Sequence, residues 1–149
     1  MLCPSHPEPV IYDLLKLSDA EIAALLERMQ KVDDALHQPE RRGEPRYPFQ
    51  SAKRLLARIE EPGGTNALFV IIPRTISRFG IGFLHGKFLH RRSIVEVRLP
   101  TINDDSVLTT GQVCHSTLVE GRIHEIGLKF SEEIDLRNFV ASIPPVDPT

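Results

Sequence analysis

Tryptophan is absent from this chain of 149 residues, and there are only two tyrosines and two cysteines. Few large aromatic rings leave few platforms on which successive bases of a single-stranded nucleic acid stack. Charge of one sign is lacking too: 18 Lys and Arg stand against 20 Asp and Glu, a net charge of −2. Binding to a nucleic-acid polymer normally needs a basic excess, so that class is excluded. Cys3 and Cys114 are too few and too far apart for a disulfide framework, which fits a reducing cytoplasm. No apolar run approaches the roughly 18 residues that mark a membrane-spanning helix. The first nine residues have neither a basic start nor an apolar core, so no secretion signal is expected.

Catalytic and metal-binding patterns are missing as well. No Gly-x-Ser-x-Gly elbow or phosphate loop occurs. The carboxylate pairs Asp104-Asp105 and Glu132-Glu133 are sequence neighbours, which point apart on an extended chain. His85, His90 and the Cys114-His115 pair lack the spacing of a zinc site. The expectation is a protein that is not an enzyme and carries no metal.

What is present is enough apolar residue, 41%, to fill one core. The pattern divides at about residue 38, giving an N-terminal extension with a helix (1–38) and a second region (39–149). The stretch 11–17 is apolar enough to dock, as a short turn of helix. Ser18 and Glu21 form a capping box, in which each side chain satisfies a backbone donor of the first turn. Ile22, Leu25, Leu26, Met29, Val32 and Leu36 follow as an apolar stripe, and Gln38-Pro39 ends the helix. The stripe has two readings. It packs on the outer face of the neighbouring domain, or it joins two copies of the chain, with Leu25, Met29 and Val32 near the contact of a homodimer.

Beyond Pro48 the pattern becomes that of strands, expected at 51–60, 67–73, 80–84, 93–99, 106–119 and 122–130. Six strands without a helical crossover imply an antiparallel sheet closed into a barrel. Ser131-Glu132-Glu133 reads as the start of a short C-terminal helix to about residue 143, before Pro144-Pro145.

Two polar segments stand out. Between positions 41 and 58, Arg41, Arg42, Arg46, Lys53, Arg54 and Arg58 face Glu44 alone, a local basic patch suited to a small dianion. Arg74-Thr75-Ile76-Ser77-Arg78-Phe79-Gly80 reads as a polar turn between apolar strands, with Gly80 supplying a positive φ. Arginine suits both halves of a guanine nucleotide, because its planar fork bonds a phosphate or the guanine O6/N7 edge in parallel.

Arg42-x-x-x-Arg46, with Arg41 before it, resembles the RxxxR motif of PilZ domains. Thr75-x-Ser77-x-x-Gly80 falls where that family carries [D/N]xSxxG. The likeness continues through Gly80-Ile-Gly-Phe83, Gly111-Gln-Val113 and Ile126-Gly-Leu-Lys-Phe130, and so covers about 40–142. It implies a mainly β fold: a six-stranded antiparallel PilZ-like β-barrel with an N-terminal helix and a short C-terminal helix. It also implies a bacterial, cytoplasmic signalling receptor that binds cyclic di-GMP and transmits this to a partner protein. The ligand-binding residues would be Arg41, Arg42, Arg46, Arg74, Thr75, Ser77 and Gly80. The alternative is a degenerate PilZ adaptor that binds protein and no nucleotide. Thr75 is the departure that favours it, since the family's Asp or Asn accepts from guanine N–H groups there. Arg74 would compensate by reading O6/N7, and Thr75→Asp is expected to tighten binding.

Overall fold

The computed structural model describes residues 10–35, 46–49, 53–64 and 66–140, with the backbone alone for 32–35. Helix α1 spans Asp19–Ala35. The strands are β1 (Ile11–Tyr12), β2 (Tyr47–Pro48), β3 (Leu55–Glu60), β4 (Asn66–Ile76), β5 (Gly80–His85), β6 (Ile94–Pro100), β7 (Ser106–Glu120) and β8 (Ile123–Phe130).

Six strands close on themselves in the order β4-β3-β6-β7-β8-β5, and β5 pairs back to β4. Every pair in this ring is antiparallel. Closure removes the unpaired edges of an open sheet. The alternation read in β6 sends Val95, Val97 and Leu99 inward while Ile94 and Arg98 face out. Ala57, Ile59, Ile71, Phe83 and Ile126 join them in the interior.

Helix α1 begins as its capping box dictates. The Ser18 N–H donates to Glu21 Oε1 and the Glu21 N–H donates to Ser18 Oγ, both at 3.1 Å. Its apolar stripe goes to the barrel. Ile22 and Leu25 are buried against Ile72, Leu84 and Ile123, on the outer face of β4, β5 and β8. Leu25 is 1% exposed, so it is not available for a contact with a second copy while α1 lies here. The side chains of Val32 and Leu36 lie outside the described residues. Arg28 bonds Glu120 at 2.7 Å, and Arg54 bonds Asp19 and the Leu17 carbonyl, tying the start and the middle of the helix to the barrel.

Three local expectations are corrected. Residues 11–12 form a two-residue strand parallel to β4 at Leu68 and Phe69, not a turn of helix. Asp13 Oδ1 accepts from the Leu15 and Lys16 N–H groups, turning the chain toward α1. The expected C-terminal helix is only a 3-10 turn at Leu136–Asn138. Its intended first turn is pulled apart: Ser131 N–H donates to the Thr110 carbonyl and Ile134 N–H to the Arg78 carbonyl. Asp135 then caps the short turn by accepting from Arg137 N–H. Residues 141–143 lie outside the described residues. Finally, β4 continues through Ile76, so Arg74 and Thr75 stand on a strand rather than in a turn.

Candidate ligand-binding site

The two motif segments meet because β2 lies along the end of β4. Tyr47 pairs with Ile76 and Pro48 with Thr75. Phe49 N–H donates to the Arg74 carbonyl at 3.0 Å. The Phe49 ring is buried and meets Phe139 edge-on, 6.0 Å between centroids, which pins this stretch to the barrel. Arg46, one residue earlier than β2, therefore shares a surface cleft with Thr75, Ser77, Gly80, Gly82, Cys114 and Gly127. The cleft encloses only about 20 Å³, room for roughly one water. A ligand would lie across it rather than inside it.

Its floor is made by glycines. Gly82 of β5 and Gly127 of β8 are direct partners. Two register shifts flank them, one placing an extra residue between Pro73 and Thr75, the other between Val113 and His115. The extra residues are Arg74 and Cys114. A bulge adds one residue against a single partner and re-aims side chains locally. Side chains crowd the vacancy over each glycine: a Cβ on Gly82 would lie 2.9 Å from Thr75 Oγ1, and one on Gly127 would lie 2.2 Å from His115 Nε2. Cys114 is an exposed free thiol whose Sγ lies 3.2 Å from the Gly127 carbonyl, to which it donates.

Ser77 organises the turn into β5. Its hydroxyl oxygen accepts from the N–H groups of Phe79 and Gly80, both at 3.2 Å. Its own N–H donates to the Gly80 carbonyl at 2.9 Å. A hydroxyl has one hydrogen to give, and that of Ser77 goes to the Gly80 carbonyl over a long 3.5 Å. Gly80 does not have the positive φ expected of it; the positive-φ glycines among the described residues are Gly63, Gly64 and Gly121. It is glycine because a Cβ would stand 2.2 Å from the Leu128 carbonyl oxygen.

Arg74 is committed to a neighbour. Its Nη1 donates to Glu125 Oε2 at 2.6 Å, with the two side chains 11% and 24% exposed. Arg78 pairs with Glu133 at 2.8 Å and lies over the Phe79 ring. Of the residues expected to bind ligand, Arg46, Thr75, Ser77 and Gly80 converge, Arg74 stands beside them, and Arg41 and Arg42 lie outside the described residues. Gly82, Gly127, Cys114 and Glu125 also belong to this neighbourhood but were not expected there. Glycine within a strand marks a close approach, a signal Gly82 and Gly127 do carry; Glu125 has no local signature.

Residues 40–142 match the family model described as PilZ domain. The chain belongs to the PilZ domain family. No curated protein matches it as a relative. The PilZ match contains the whole barrel, β2 and the cleft, whereas α1 and β1 precede it. Among the described residues, no helix of this PilZ protein is long and apolar enough to cross a membrane.

Proposed function

We propose that this PilZ protein is a cytoplasmic receptor for cyclic di-GMP that passes the binding event to a partner protein. One observation carries the reading: β2 pairing holds Arg46 in the same cleft as Thr75, Ser77 and Gly80. Arg46, with Arg41 and Arg42 from the preceding segment, supplies guanidinium forks for phosphate and guanine. Ser77 offers its hydroxyl hydrogen in exchange for its long bond to the Gly80 carbonyl. Over Gly82 and Gly127 the Thr75 hydroxyl and the His115 ring fill the space a Cβ would take, so a base would rest on those two side chains. No covalent step is involved, so the role is binding and not catalysis.

Residues 36–45 join α1 to β2, so a ligand gripping Arg41, Arg42 and Arg46 acts on the segment that leads to the helix. Binding then biases α1 on the barrel, and a partner protein reads that difference. A homodimer would have to use the half-buried Met29 and residues beyond it, since Leu25 is spent on barrel packing.

Calorimetric titration of the full chain tests the reading. Cyclic di-GMP should bind, and Arg46→Ala should cost about 1–3 kcal/mol, roughly 5- to 150-fold in Kd. No heat at saturating nucleotide would overturn it. That result would leave the adaptor that binds no nucleotide, which one contact favours: Arg74, the residue placed to read O6/N7, is already held by Glu125.

A further inference from the structure

We infer that Glu125 supplies the carboxylate acceptor that Thr75 lacks, and that it makes the cleft select guanine. The inference rests on the cyclic di-GMP reading above. Glu125 and Gly127 are two residues apart on β8 and so face the same side of the sheet. Gly127 pairs with Gly82, and Gly82 pairs with Thr75. Thr75 and Glu125 thus reach the same patch from opposite sides of β5. A Cβ built on Gly82 would lie 2.9 Å from Thr75 Oγ1 and 3.9 Å from Glu125 Oε2. The carboxylate arrives from the neighbouring strand at the place where the threonine brings only a hydroxyl.

The carboxylate is held in place as well. Arg74 bonds Oε2 at 2.6 Å, which occupies one of the roughly four acceptor positions a carboxylate offers. The bulge that puts Arg74 and Thr75 together opposite Gly82 is what lets the guanidinium reach across to β8. A fixed, partly buried carboxylate accepts two parallel N–H bonds from the N1–H and N2–H edge of guanine. Adenine has no N1–H, and hypoxanthine lacks the N2 amino group. The same proximity reverses the expectation for Thr75→Asp, because a second carboxylate beside Glu125 is repelled by it.

Four proteins decide the matter by calorimetry: the wild type, Glu125→Gln, Thr75→Asp and the double variant. Each is titrated with cyclic di-GMP and with its cyclic di-inosine analogue, which lacks only the N2 amino groups. The wild type should prefer cyclic di-GMP by roughly tenfold or more, since a site built to bond an N–H rejects the analogue without it. Glu125→Gln should bring that ratio close to one, and the double variant should restore it. Thr75→Asp alone should not tighten binding. If Glu125 only braces Arg74, its loss weakens both nucleotides alike and leaves the ratio at the wild-type value, which overturns the inference while the receptor reading stands. Wild-type protein that binds neither nucleotide overturns the receptor reading and this inference with it.

Discussion

His85, at the end of β5, has no exposed surface. Its ring meets Phe69 edge-on at 5.1 Å, and neither ring nitrogen has a hydrogen-bond partner among the described residues. Burial, with smaller contributions from Lys87 and His124, lowers its pKa from 6.5 to about 4. The folded state therefore holds this imidazole neutral, while the unfolded chain takes up a proton below pH 6.5. Stability from this group is complete above pH 6.5 and is lost as pH falls from there through about 4, a total on the order of 3 kcal/mol. Urea unfolding at stepped pH should show this slope, and His85→Leu should flatten it. An unchanged slope would place the titration elsewhere. Gly80 makes the second prediction at this scale. Gly80→Ala meets the Leu128 carbonyl rather than a φ penalty, so it should destabilise by about 1–3 kcal/mol. Neither role is legible in sequence: a lone histidine and a glycine after Ser77-Arg78-Phe79 say nothing of what presses on them from β4 and β8.

At the scale of elements, local patterns were readable where a period or a pair of residues declares itself. The Ser18–Glu21 box and the alternation of β6 are of this kind. Strands of two residues carry no period, so β1 and β2 were not legible. Ser131-Glu132-Glu133 resembles a helix start, but the backbone of 131–134 bonds the barrel instead of itself. Arg74 and Thr75 look like turn residues because they are polar; a bulge keeps them on β4 and turns them outward. Which of the two readings of the helix stripe applied depended on a partner surface, Ile72, Leu84 and Ile123, dispersed over three strands. That packing predicts that Leu25→Ala costs ~2–5 kcal/mol, to be measured by chemical unfolding. A cost below about 0.5 kcal/mol, the usual range for a surface position, would mean that α1 is not seated on the barrel in solution.

For the molecule as a whole, the closed ring brings together four stretches distant in sequence: Arg46, 74–82, Cys114-His115 and 125–127. The motif spacing pointed to the first two. The contribution of β7 and β8 follows only from register, through paired bulges facing a Gly82–Gly127 step. The most direct test of the cleft is a titration of isotope-labelled protein with cyclic di-GMP followed through its backbone amide signals. The largest shifts should fall on Arg46, Thr75, Ser77, Gly80, Gly82, Cys114 and Gly127. Shifts centred instead on the groove between 107–110 and 131–135, or no shifts at saturating nucleotide, would contradict this placement of the site.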